Sequence, residues 1–203
     1  MSNLKFTPQL LPASSKLVLA SRSPRREQIL HMLGITFTTL HPDYEETLPL
    51  GVPLDQIPEF LARGKAASLT NLGPTVLVLG SDTIVLLDDL LLGKPENADH
   101  AFAMLSALNG RTHRVITGVA VACEGQVLNS GSALTEVTFA KHPPEALRAY
   151  AESQEPLDKA GAYAIQGHGA RLVESIQGCF YNVMGLPIQL TMRMLESQHL
   201  GDA

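Results

Sequence analysis

The stretch Lys16-Leu17-Val18-Leu19-Ala20-Ser21-Arg22-Ser23-Pro24-Arg25-Arg26 decides how the rest of the chain is read. Its first five residues are a short apolar run, the pattern of a buried strand. Ser23 then suits an N-cap, Pro24 the first helical position, and Gly34 the residue just past a helix end. Between them Ile29, Leu30 and Leu33 share one helical face. The unit is strand, tight loop, helix, and it sets the expectation of an α/β fold.

Working outward, Ile35–Leu40 alternates weakly as a second strand, and His41-Pro42-Asp43 turns the chain. Leu54, Ile57, Leu61, Lys65 and Leu69 recur at helical spacing, with Pro58 admissible if the helix begins near Gln56. Thr75–Leu79 reads as a buried strand running into Gly80-Ser81-Asp82-Thr83 and on to Ile84–Leu87. Asp88-Asp89 then makes a hairpin turn to Leu90–Leu92. Asn97 caps a helix carrying Ala101, Met104, Leu105 and Leu108, which stops at Asn109-Gly110. Arg111–Cys123 is a long β-rich run, Gly125 a turn, and Val127–Leu128 and Leu134–Ala140 further strand segments. A helix from Pro143 to about Ser153, a strand at Leu172–Ile176 and an amphipathic helix at Leu186–Leu195 complete the pattern. Strands that interleave with helices at the ends and follow one another in the middle predict a mixed sheet with helices on its faces.

Composition agrees with a globular chain. Of 203 residues, 45% are apolar and 17% charged, enough to build a core from Leu, Val, Ala and Ile without any Trp. The net charge of -5 lacks the broad positive field of a duplex-binding protein, although a small anion needs only a few focused cations. Cys123 and Cys179 are isolated, and the seven histidines show no His-x-x-x-His spacing, so a disulfide framework and a structural zinc site are both disfavoured. Residues 1–16 lack a signal-type apolar core, and no segment reaches the ~18 apolar residues of a membrane span. The expectation is a cytoplasmic protein with no membrane or nucleic-acid partner.

Chemistry-bearing residues gather where strands end. Ser21-Arg22-Ser23-Pro24-Arg25-Arg26 pairs a helix N-terminus with guanidinium donors, which suits phosphate; a solvated basic first turn is the alternative. Arg beside a helix N-terminus opposes the dipole, and an anion there would relieve it. Asp82 lies between two apolar runs, where a carboxylate is costly unless paired. It is a candidate metal ligand or general base, or else a turn or bulge residue satisfied by backbone N–H groups. Asp158-Lys159-Ala160-Gly161-Ala162-Tyr163-Ala164-Ile165-Gln166-Gly167 joins small residues to an amide able to read a base edge, or is a short helix and turn. Lys65, Lys94 in Gly93-Lys94-Pro95, and Glu45-Glu46 complete the set. The G-x-x-x-x-G-K-[ST], G-x-G-x-x-G and G-x-S-x-G patterns are absent from the sequence.

Taken in order, these segments resemble the Maf-like nucleoside triphosphate pyrophosphatases. The resemblance runs through Leu17–Arg26, Glu45-Glu46, Lys65-Ala66, Gly80–Thr83, Gly93-Lys94-Pro95 and Thr117-Gly118-Val119. It closes with Asp158–Gly167 and Tyr181-Asn182-Val183-Met184-Gly185-Leu186-Pro187. It implies one domain over 1–203 with residues 1–15 as an extension, and a mixed twisted β-sheet flanked by helices in two lobes with a central cleft. It implies a homodimeric hydrolase that splits a triphosphate between the α- and β-phosphates with a divalent metal, Mg²⁺ or Mn²⁺. Thr83 after Asp82, and Gln166 in the late motif, point to the dTTP/UTP subgroup. By resemblance Asp82 is the proton acceptor and a metal ligand with Glu46, Glu45 being the competitor. Arg25, Thr83 and Gln166 are specificity positions; Lys65 and Lys94 join Asp82 in catalysis; Ser21, Arg26 and Lys159 contact substrate. Three positions depart from the family pattern: Gly64 stands where Glu is frequent, Arg22 where a small residue is usual, and Cys179 where Ser is common. A 7-methyl-GTP or other purine nucleotide pyrophosphatase, and a non-catalytic nucleotide-binding regulator of septum formation, are the alternatives.

Overall fold

The computed structural model describes residues 11 and 15–198. Strand β1 (Lys16–Ala20) lies between two parallel neighbours, β2 (Thr38–Leu40) on one edge and β3 (Val76–Leu87) on the other, with Ala20 opposite Gly80. Across β3 the direction reverses: β5 (Thr112–Cys123), β6 (Gln126–Phe139) and β7 (Val173–Gln177) follow antiparallel, and β4 (Leu90–Leu92) folds back on the end of β3. The result is a seven-stranded mixed sheet in the order β2-β1-β3-β5-β6-β7. Helices α1 (Pro24–Met32), α2 (Ile57–Ala67), α3 (Ala98–Leu108), α4 (Pro144–Ala151), α5 (Phe180–Met184) and α6 (Ile188–Glu196) cover it.

Two apolar cores share this sheet. Leu17, Leu19, Leu77, Leu79, Val119 and Val121 bury against Ile29 and Leu30 of α1 and against Met194 and Leu195 of α6. The other ends of β3 and β5, through Val85, Leu87 and Val115, pack with Leu105 and Leu108 of α3 and Leu147 and Tyr150 of α4. Long strands thus run through both lobes. On the opposite face α2 lies almost on the sheet backbone, Ala62 and Ala66 packing with Val78, Ala120 and Ala122.

The edge of β3 is interrupted between the lobes. β1 pairs with it as far as Gly80, and β4 starts at Val85, so no strand covers Ser81–Ile84 on that side among the described residues. A cleft opens through this gap and reaches both faces of the sheet. No helix among the described residues is long and apolar enough to cross a membrane.

Of the two readings of Asp82, the structure takes the one within a strand: β3 is continuous through Gly80–Thr83, and Asp82 pairs directly with Gly118 of β5. Other local expectations are corrected. β6 is one strand rather than two, because its polar centre Asn129–Ser132 is held by pairing to β5 and by Ser130 Oγ donating to Glu59 at 2.6 Å. Ser23 takes the extended backbone of an N-cap, but its side chain caps nothing; instead Ser21 Oγ accepts from the Ser23 N–H at 3.0 Å. The extension expected over residues 1–15 falls mostly outside the described residues, and Asp158–Gly167 forms short 3-10 turns rather than a helix.

Candidate active site

Strand alternation places Asp82 on the face covered by α2, in the row Gly80, Asp82, Ile84. Gly80 and Gly118 flank it without side chains, so α2 approaches closely and Lys65 from its last turn reaches the carboxylate. Lys65 Nζ donates to Asp82 Oδ1 at 2.6 Å and to Glu46 Oε1 at 2.8 Å. Lys65 and Asp82 are 6% and 7% exposed, whereas the Glu46 side chain reaches in from the solvent side. Among the described residues the Asp82 carboxylate receives no other hydrogen bond, which leaves it an unused acceptor toward the cleft.

Electrostatics separate the two acids. Burial pushes Asp82 above the ordinary carboxylate range; Lys65 and Arg26 pull it back in part, and the Glu46 charge adds to the rise. For Glu46 burial also pushes upward, but the Lys65 hydrogen bond, with the charges of Lys65, Lys94 and Arg26, outweighs it and holds the group below its usual value. Paired carboxylates driven apart in this way are a signature of acid–base or metal chemistry.

The cleft occupies about 1060 Å³ and is lined by Ser21, Arg25, Arg26, Glu46, Lys65, Asp82, Thr83, Lys94, Lys159 and Gln166 among others. All the residues singled out in the sequence therefore gather here, but they are not equivalent. Arg26 is committed to the fold, with Nε donating to the Gly185 carbonyl at 2.8 Å and its terminal nitrogens to Ser21 Oγ and Thr83 Oγ1, each at 3.3 Å. Thr83 Oγ1 also bonds Thr117 Oγ1 at 2.9 Å. Lys159 Nζ donates to the Glu155 carbonyl at 2.9 Å and pairs with Asp158. Arg25, Lys94 and Gln166, by contrast, make no side-chain hydrogen bond to protein among the described residues and face the cleft. Burial lowers the Arg25 guanidinium from its ordinary value, offset in part by Asp158 and Tyr150. It stays charged, and an incoming phosphate would offset its lost hydration.

Of the adjacent acids Glu45 and Glu46, it is Glu46, the one preferred by resemblance, that pairs with Lys65. One feature escaped sequence reading. Tyr44 fills the notch left by Gly64: a Cβ at position 64 would lie 2.2 Å from Tyr44 Cζ and 2.4 Å from its hydroxyl oxygen. Burial first, then the charges of Glu46 and Asp82, raise the Tyr44 phenol above its usual value. A neutral phenol therefore occupies the space beside Gly64 on α2.

Glu46 and Asp82 converge on one ammonium, while no cluster of three or more His, Cys, Asp or Glu exists among the described residues. Two carboxylates in an open cleft match a cation of the Mg²⁺ type, which keeps water and takes further oxygens from substrate phosphates. The donor set fits a shared ion and does not fit a closed protein cage.

Comparison with known proteins agrees with the geometry. Residues 16–198 match the family described as Maf-like protein. A dTTP/UTP pyrophosphatase of Clostridium botulinum (strain Alaska E43 / Type E3) is 42% identical over 184 residues, covering 89% of this chain and 98% of that protein. One from Bacillus velezensis is 40% identical over 183 residues, covering 90% and 96%. Among solved structures, a HAM1 protein from Coxiella burnetii gives a TM-score of 0.48 at 17% identity, covering 92% of this chain and 95% of that one.

Proposed function

The chain belongs to the Maf-like family, and on that premise we propose that it is a nucleoside triphosphate pyrophosphatase that converts dTTP and UTP to the monophosphate and pyrophosphate. The observation that carries the reading is the buried Asp82 carboxylate, held at 2.6 Å by Lys65 and open on its other side to a cleft lined by cations.

Asp82 orients a water against the α-phosphorus and takes its proton as the new P–O bond forms. Lys65 fixes the carboxylate so that its free oxygen points at that water. Lys94 and Arg25, uncommitted to protein, stabilise the charge that gathers on the bridging oxygen and on the departing pyrophosphate. Ser21 and Arg26 shape the wall of the phosphate subsite. A divalent cation, Mg²⁺ or Mn²⁺, would be held by Glu46 and Asp82 and would supply further charge neutralisation. In the same cleft Gln166 offers both a donor and an acceptor to a pyrimidine edge, with Thr83 acting through the Arg26 and Thr117 network. A homodimer and a cytoplasmic location belong to the same proposal, and light scattering and cell fractionation test them.

The deciding experiment assays dTTP, UTP, CTP, GTP and 7-methyl-GTP with Mg²⁺ or Mn²⁺, measuring pyrophosphate and orthophosphate separately. Pyrophosphate release concentrated on dTTP and UTP is expected. Release concentrated on 7-methyl-GTP overturns the base assignment and keeps the chemistry; binding without turnover overturns catalysis.

Gln166→Glu is expected to lower kcat/KM for dTTP and UTP about tenfold more than for other bases. The carboxylate cannot donate to a carbonyl oxygen of the base, and one unsatisfied polar contact costs ~1–3 kcal/mol. Equal losses on every base would remove Gln166 from base recognition.

A further inference from the structure

Among the described residues the Gln166 side chain makes no hydrogen bond of its own, yet the backbone on either side of it is fixed by one carboxylate. Glu155 Oε2 accepts from the His168 backbone N–H at 3.1 Å, and Oε1 accepts from the Gly169 N–H and from the Tyr150 hydroxyl, each at 3.0 Å. The Tyr150 oxygen accepts in turn from the Ala164 N–H at 3.2 Å. Three amides that bracket Gln166 therefore end on Glu155, directly or through a single phenol.

Strand pairing does not fix this segment. Gln166 is extended, at φ -106° and ψ 167°, and a short 3-10 stretch follows it. The clamp also leaves no spare room. A Cβ on Gly169 would lie 2.4 Å from the Ala164 carbonyl oxygen and 2.5 Å from the Tyr150 hydroxyl, and one on Gly167 (φ +70°) would lie 3.0 Å from Glu155 Oε2.

Both clamp residues are anchored elsewhere. Tyr150 is 8% exposed, with its ring in the core of the second lobe. Glu155 follows Gln154, a non-glycine residue at φ +67° that turns the chain back from α4 toward the cleft, and Lys159 Nζ fastens its carbonyl. Burial pushes the Glu155 carboxyl upward, but the Gly169 and His168 amides and the Tyr150 hydroxyl outweigh this and hold it below its usual value. An ionised carboxylate is acceptor-only, which matches three converging donors.

We propose that Glu155 and Tyr150 are positioning residues that set the Gln166 amide in the cleft, and so act on discrimination for the pyrimidine base through the backbone that carries Gln166. The inference rests on Gln166 reading the base, as proposed above.

The test compares kcat/KM for dTTP and GTP in the full-length protein across Glu155→Gln, Tyr150→Phe, Gln166→Ala and the Glu155→Gln/Gln166→Ala pair. Glu155→Gln keeps the shape but turns an NH₂ group toward an amide donor. We expect the dTTP-to-GTP preference to fall about tenfold, with the loss carried by KM for dTTP rather than by kcat. Tyr150→Phe, which keeps the ring in the core, should lose about threefold. In the double variant Glu155→Gln should add nothing to the loss caused by Gln166→Ala, because both act through one side chain. Equal losses on both nucleotides, or full additivity in the pair, would overturn the proposal. Lost preference in Gln166→Ala beside a wild-type preference in Glu155→Gln and Tyr150→Phe would overturn it while leaving the base reading intact. Unchanged preference in Gln166→Ala would overturn the base reading itself, and the inference with it.

Discussion

Asp82→Asn is expected to lower kcat by at least about a thousandfold while the protein stays folded. A positioned general base contributes roughly 10²–10⁴-fold, and the substitution also removes one of the two carboxylates that fit a shared cation. The fold should survive because Asn retains an oxygen that accepts from Lys65 Nζ, the contact that Asp82 Oδ1 makes at 2.6 Å. Lys65 also keeps its 2.8 Å pair with Glu46.

Proton linkage gives the direction of any stability change. Burial raises the Asp82 pKa in the folded state. The folded protein then binds the proton more tightly than the unfolded chain, and the stability this contributes is full below the unfolded value near 3.9. It is lost as pH rises through the folded pKa, so at neutral pH the ionised group is a burden that a neutral Asn removes. The expected Tm at pH 7 therefore lies within a few degrees of the parent's or above it. Calorimetry of the metal-free protein, beside single-turnover assays of the loss in kcat, checks both statements. Full activity in Asp82→Asn would remove Asp82 as the base; a fall in Tm of ten degrees would contradict the account of its burial.

Much of this arrangement was legible where local chemistry and tertiary structure agree. Lys16–Ala20, Pro24 and Gly34 announce a strand, a helix start and a helix end. Asn97 caps α3 as its type predicts, its Oδ1 accepting from the His100 N–H at 2.9 Å. The sequence pattern broke where distant partners decide. A Gly-Ser-Asp-Thr run is open to both a strand and a turn, and β3 passes straight through it because Lys65, seventeen positions earlier, neutralises the carboxylate. Thr83 and Asp82 are adjacent in sequence and on opposite faces of the sheet, and both line the cleft only because the strand edge is open beside them. Tyr44 and Glu155 carried no local signal. Each matters through a cavity or a set of amides contributed by residues far along the chain.

Gly118→Ala is expected to be the most damaging small substitution for stability. Gly118 sits in β5 directly opposite Asp82, on the face where α2 begins. A Cβ there would lie 2.2 Å from the Pro58 carbonyl carbon and oxygen and 2.3 Å from the Glu59 nitrogen. These are backbone atoms, so no rotamer change relieves the clash. Either α2 lifts by an ångström or more or the strand bows, and both loosen the Ala62 and Ala66 contacts that seat the helix. Gly80, the other floor of this helix, leaves no slack: its own Cβ would meet the Ala62 carbonyl oxygen at 2.4 Å. Overpacking of this kind costs typically ~1–3 kcal/mol and more where backbone must move; at about 3 kcal/mol the Tm of a chain this size should fall by roughly 6–12 °C. Lifting α2 also withdraws Lys65 from Asp82, so activity at low temperature should fall before unfolding begins. Gly93→Ala provides the contrast, since nothing lies within 4 Å of a Cβ at that position; its stability should change by less than about 0.5 kcal/mol. Similar Tm values for the two variants would mean that α2 does not rest on the sheet at backbone distance, and that Lys65 reaches Asp82 by some other route.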